Sequence, residues 1–172
     1  MSEYTDEFQA VLEDFRETIE QAAVALREIS DEASKRPLSD DKWSAKEVVG
    51  HLIDSAANNH QRFVRGQFQN DLIFQGYNQD DWVSSQQYIN ASWSLLIDLW
   101  RTYNLHLLHV MASSSERARR RIHHDHTLNK IAFKTVSVDE PSTLEYIMRD
   151  YIVHLKSHLN QIVQSPKSKV QN

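Results

Sequence analysis

Three glycines and three prolines in 172 residues leave this chain little material for the tight turns that close antiparallel sheets. Apolar residues recur instead at three- and four-residue intervals through four long segments, the spacing that lines one face of an α-helix. The chain is therefore predicted to be all-α. Its length suits one hydrophobic core, so residues 1–165 are read as a single domain and 166–172 as a polar tail.

The first apolar stripe runs from Thr5 to Ala33 through Phe8, Leu12, Phe15, Ile19, Ala23 and Leu26, with acidic residues on the opposite, solvated face. The second helix is predicted to start at Ser44, whose hydroxyl and Glu47 form a capping box while Trp43 and Val48 make a hydrophobic staple across it. It carries His51, Leu52, Ser55 and Asn59 on one side and is expected to end near Gly66 in a left-handed residue. Residues 67–83 read as a long irregular crossover. Ser84 to Gln87 suggests a second capping box, opening a third helix that reaches Ser113 and spans about 40 Å at 1.5 Å per residue. The helical period then fails until Glu140, and residues 130–138 alternate well enough to predict a short extended piece. A third capping box, Ser142 to Glu145, opens the fourth helix, whose stripe is interrupted by His154 and His158.

With no cysteine, the chain has no disulfide, thiolate ligand or cysteine nucleophile, and a metal site falls to His, Asp, Glu and water. A formal charge of −5 argues against a nucleic-acid binder, because neutralising phosphates takes a basic face. No apolar run approaches the length of a membrane span, and the N-terminus has acidic residues where a signal peptide carries positive charge, so a cytoplasmic protein is expected.

His51, His154 and His158 each fall on an inward-facing stripe. The last two, four residues apart, share one face of their helix. Three neutral imidazoles from two helices make the open three-ligand arrangement of catalytic metal sites. Leu155 stands where the zinc-protease helix motif places its glutamate, which argues against a thermolysin-like peptidase. Candidates for a general base are Asp54, one turn after His51, and Asp150, one turn before His154; both are more simply supporting or surface carboxylates.

Trp43 to Asp54, Gly76 to Trp82 and Asp150 to Ile162 together resemble the DinB-like (DinB/YfiT) superfamily of metal-binding four-helix bundles. The resemblance spans nearly the whole chain. It implies an up-down-down-up bundle with a long link between helices 2 and 3, and a divalent ion, nickel or zinc, held by His51, His154 and His158. It also implies a class of chemistry: a thiol transferase or hydrolase acting on a small molecule, with a low-molecular-weight thiol as one partner. The alternative is a non-catalytic, stress-related module that binds metal or a small ligand. A homodimer suits the same resemblance.

Arg117 to His126 forms the one basic island and is read as a solvated loop, with a nucleic-acid or anionic-substrate patch as the lesser reading. His60, His106 and His109 lie beside the stripes and are read as surface or boundary residues. Trp93 and Trp100 are placed in the core of the third helix. Tyr77 and Trp82 are alternatively walls of a cleft over the metal or simple packing of the link.

Overall fold

The computed structural model describes residues 3–165, so the predicted polar tail lies outside the described residues. Four long helices carry the four stripes: α1 (Glu3–Arg27), α3 (Ala45–Arg65), α5 (Trp93–Ser113) and α8 (Leu144–Gln164), with four shorter helices between them: α2 (Asp31–Ser34), α4 (Gln79–Gln86), α6 (Glu116–Arg120) and α7 (Leu128–Ile131). α5 packs against α1 and α3, and α8 packs against the same two, which closes a four-helix bundle. At its centre the Tyr151 ring meets Phe15 and Phe63 edge-on, and its hydroxyl donates to Asn104 at 2.5 Å. That one side chain ties all four long helices together.

The second predicted helix begins as read: Ser44 accepts from the Glu47 amide and the Glu47 carboxylate accepts from the Ser44 amide. Its end differs. Gly66 caps the helix with φ −59°, a right-handed conformation, so backbone freedom is not why glycine stands there. A Cβ on Gly66 would come within 2.7 Å of the Leu144 side chain, and that close approach to the start of α8 is what glycine permits.

Three other boundaries move, each because a competing local interaction takes over. The first helix stops at Arg27; Ser30 then caps the single turn α2, and the buried Lys46 amine joins that turn to α3 through Asp31 and the Ala91 carbonyl, both at 2.7 Å. The crossover is partly helical, because Asn78 Oδ1 accepts from the Asp80 and Asp81 amides and starts α4 ahead of the predicted Ser84 cap. Ser84 is therefore interior. Gln87 ends α4 at φ 48°, a turn of 3₁₀ helix (Tyr88–Asn90) follows, and α5 starts only after Ser92. Its 21 residues span about 31 Å, shorter than predicted. At the fourth helix the cap is Thr143, which accepts from the Tyr146 amide; Glu145 instead pairs with Arg119 and Arg149.

Among the described residues there is no strand, and the predicted extended piece at 130–138 is absent; Leu128 to Ile131 makes one helical turn. Isolated bridges, Leu72 with His126 and His123 with Ser142, fasten the long insert to the crossover and to the start of α8.

The basic island is solvated only in part: Arg117, Arg120, His124 and Asp125 are exposed, but its first residues form α6 and several side chains turn inward. Arg119 is buried, donates to Glu145 at 2.7 Å and lies 3.9 Å over the Phe8 ring. Arg121 donates to the carbonyls of Gly66 and Gln69, and Arg120 pairs with Glu116. His123 and His126 are also buried, each hydrogen-bonded to a backbone carbonyl. Of these ties only the Arg120–Glu116 pair is visible at close spacing; the partners of Arg119 and Arg121 lie far away in the chain. His60 is half-buried and His106 and His109 are exposed, as their positions suggested, and Trp93 and Trp100 lie in the core.

Gly50 lies inside α3 with the Tyr88 ring pressed on it, and a Cβ there would sit 2.1 Å from that ring. Alanine in a helix interior ordinarily stabilises by about 1 kcal/mol relative to glycine. Gly50→Ala is expected to do the opposite and destabilise by about 1–3 kcal/mol, the range for overpacking, as read by urea unfolding. Arg119→Ala is expected to cost about 2 kcal/mol in the same assay, since it strands a largely buried Glu145 with Arg149 alone.

Candidate metal centre

α3 and α8 lie side by side, and this packing brings His51 from one and His154 and His158 from the other to one place. The metal-binding atoms of the three imidazoles all lie within 4.8 Å of one another. Their ring centroids are 4.6 to 5.2 Å apart. The Nε2 atoms of His51 and His154 are separated by 3.2 Å. Two nitrogens bound to a tetrahedral ion at 2.0–2.1 Å stand about 3.3 Å apart, so this pair already has ligand spacing.

The outer nitrogens fit the same arrangement on α8. His154 Nδ1 is 3.4 Å from Ser55 Oγ and His158 Nδ1 is 3.1 Å from Gln161 Oε1; donation from each Nδ1 leaves Nε2 as the free lone pair. His51 departs from the expectation that both nitrogens of a buried imidazole are satisfied, because its Nδ1 is buried without a partner. Its ring packs instead against the tilted ring of Trp43, centroids 5.2 Å apart, and Phe133 packs on His154 at the same spacing.

Burial keeps the imidazoles neutral. It lowers His51 to about 4, helped by the charge of His158, and His154 to about 3, helped by His158, His51 and Arg62. His158 is also lowered by burial, against a raising contribution from Gln161. Neutral imidazole is the form that binds a metal, so at pH 7 no proton has to be displaced.

A cavity of about 260 Å³ opens on this cluster, lined among others by His51, His154, Ser55, Arg62, Tyr77 and Asp150. A second recess includes His158, Trp43 and Gln161, and Gln79 borders both. Tyr77 is a wall of the first cavity, and burial pushes its hydroxyl up to about 12, so it stays protonated as a donor. Trp82 packs against the Tyr77 ring at 4.8 Å without lining either recess.

The two carboxylates named from helical spacing separate. Asp54 lines neither recess; it accepts from Tyr88 Oη at 2.6 Å and Gln86 Nε2 at 2.7 Å, and it supports none of the imidazoles. Asp150 lines the cavity, but its oxygens accept from the amides of Phe133 and Lys134 at 2.7 and 2.8 Å. Burial raises both carboxyls, opposed in each case by these hydrogen bonds. Arg62 was missed. The signal was present: His51, Ser55, Asn59 and Arg62 continue one stripe at spacings of four, four and three, and three polar residues on an inward face should have drawn the fourth in.

Residues 12–162 match the model of the DinB superfamily. The chain belongs to that superfamily. The structure is similar to that of YfiT from Bacillus subtilis, described as a probable metal-dependent hydrolase with an unusual four-helix bundle topology; the TM-score is 0.69 at 18% identity, over 89% of this chain and 84% of that one. No curated protein matches the chain. No described helix is long and apolar enough to cross a membrane. The DinB-superfamily bundle and its three-histidine cluster point to a divalent metal ion.

Because the imidazoles are depressed below their unfolded value of about 6.5, the unfolded chain takes up protons first as the pH falls. The metal-free protein is therefore expected to lose stability progressively from about pH 6.5 towards 4, and His154→Gln to flatten that slope. Urea unfolding between pH 7.5 and 4.5 reads the difference; parallel curves for the two proteins would contradict the depressed values.

Proposed function

We propose that this protein is a metal-dependent enzyme acting on a small molecule in the cavity above the three histidines, as a thiol transferase or a hydrolase. The observation that carries the reading is the convergence of three neutral imidazoles, one buried and two half-buried, with ligand spacing already present between His51 and His154, the two that line the cavity. Nickel or zinc suits an all-imidazole donor set, in which His51, His154 and His158 would hold the ion. A divalent ion there would supply a Lewis acid, lowering the pKa of a thiol or water that enters its open position.

The remaining chemistry belongs to the side chains. Tyr77 keeps a phenolic proton at the cavity wall, available to a leaving group or a developing anion. Asp150 is engaged by two backbone amides, and Asp54 lines neither recess, so neither is placed as a free general base. This favours a nucleophile that needs little help in losing its proton, and a thiol, with its ordinary pKa near 8.5, is closer to that condition than water. Thiol transfer is accordingly the preferred form, with a low-molecular-weight thiol as one substrate. The missing base also favours a second reading, a non-catalytic binder of metal or a small ligand.

Metal analysis of the purified protein is expected to find about one equivalent of a divalent ion. His51→Ala and His158→Ala are each expected to weaken binding by more than the about 10–100-fold that loss of an outer hydrogen-bonding partner causes. Full occupancy in both variants would refute the site. Turnover of a panel of electrophiles with cellular thiols, compared with the metal-free protein, separates catalyst from binder: a metal-dependent rate supports the enzyme, and none across the panel supports the binder.

A further inference from the structure

Two arginines of this bundle are buried to the same degree, and only one has a carboxylate. Arg62 and Arg119 each retain 7% exposure. Arg119 holds Glu145. Arg62, in the last turn of α3, donates to two neutral oxygens at the long limit of a hydrogen bond, Asn59 Oδ1 at 3.4 Å and the Gln75 carbonyl at 3.5 Å. Among the described residues no carboxylate forms an ion pair with it. Asp150 acts on it through space, but both Asp150 oxygens are turned to the amides of Phe133 and Lys134.

A guanidinium presents five donors and keeps its charge, so burying it against neutral oxygens is costly unless something else supplies the anion. The cost falls at the cavity that also contains His51 and His154. We propose that Arg62 anchors a carboxylate on the substrate that occupies this cavity, the reactive end of the molecule being directed at the three histidines. The planar fork of arginine matches a carboxylate through two parallel hydrogen bonds. A singly charged group suits the place better than a phosphate dianion, because Asp150 shares the cavity and already offsets part of the positive charge. Asn59 orients the guanidinium from the preceding turn, and the neutral Tyr77 hydroxyl offers a further donor at the same wall. The inference rests on the reading of the three histidines as a metal centre, and it narrows the substrate class to small carboxylic acids, including thiols that carry one.

Cobalt(II)-loaded protein titrated with mercapto-carboxylates of two to four carbons, and with mercapto-alcohols of matched length, tests this through the thiolate-to-cobalt absorption band. At the best chain length the carboxylate is expected to bind about tenfold tighter or better, the worth of a charge-assisted hydrogen bond. In Arg62→Gln that advantage should vanish while the affinity for the alcohols stays the same; in Arg62→Lys it should return in part. Equal binding of the two series at every length overturns the proposal, as does an advantage that survives in Arg62→Gln, the signature of a carboxylate chelating the ion directly. If no cobalt is retained, the metal reading fails on its own. Arg62 is then decided in metal-free wild-type protein, as it is if Arg62→Gln does not fold: its Nε–Hε NMR signal should move on addition of propionate and not of propanol, and a signal indifferent to both rules the anchor out.

Discussion

Desolvation of imidazole is the constraint from which the rest of this structure follows. Packing α3 against α8 puts His51, His154 and His158 in a space where none is readily protonated, and the bundle retains them at positions that Leu or Ile would fill with less penalty. His51 shows the tension most plainly, with one ring nitrogen buried without a partner and the other 3.2 Å from its counterpart on His154. Between neutral rings one of these nitrogens can donate to the other, and a cation placed between them would replace that hydrogen bond with coordination.

The surroundings of the cluster are as informative as the cluster. The carboxylates near it are engaged to different degrees: Asp54 Oδ1 accepts from Tyr88 and Gln86 while its Oδ2 is buried without a partner, and both Asp150 oxygens accept from amides that fasten the segment after α7 to α8. The polar groups that line the cavity include the Tyr77 phenol, a neutral donor, and the Arg62 guanidinium, a fixed cation. A pocket so equipped stabilises negative charge and abstracts protons poorly. That balance fits a metal-activated thiol better than a base-assisted water.

Much of this was legible in the sequence because it is local. The Ser44–Glu47 cap, the inward stripes and the four-residue spacing of His154 and His158 depend on neighbours within one or two helical turns, and all appear as read. Errors arose where two local signals competed or where the partner is remote. Ser84 has the pattern of a cap, but Asn78 starts the helix first. Gly66 has the look of a left-handed terminator, but it is there to admit Leu144 from α8. The residues flanking Arg119 and Arg62 do not reveal what each meets, and only the fold shows that Glu145 meets one and a cavity meets the other.

The most direct test of the central claim is X-ray absorption on the protein loaded with zinc or nickel. Three imidazole nitrogens are expected around the ion at about 2.0–2.1 Å, with an additional oxygen or exogenous ligand completing its coordination. Fewer than three imidazoles, or a shell dominated by carboxylate oxygen, would contradict that claim.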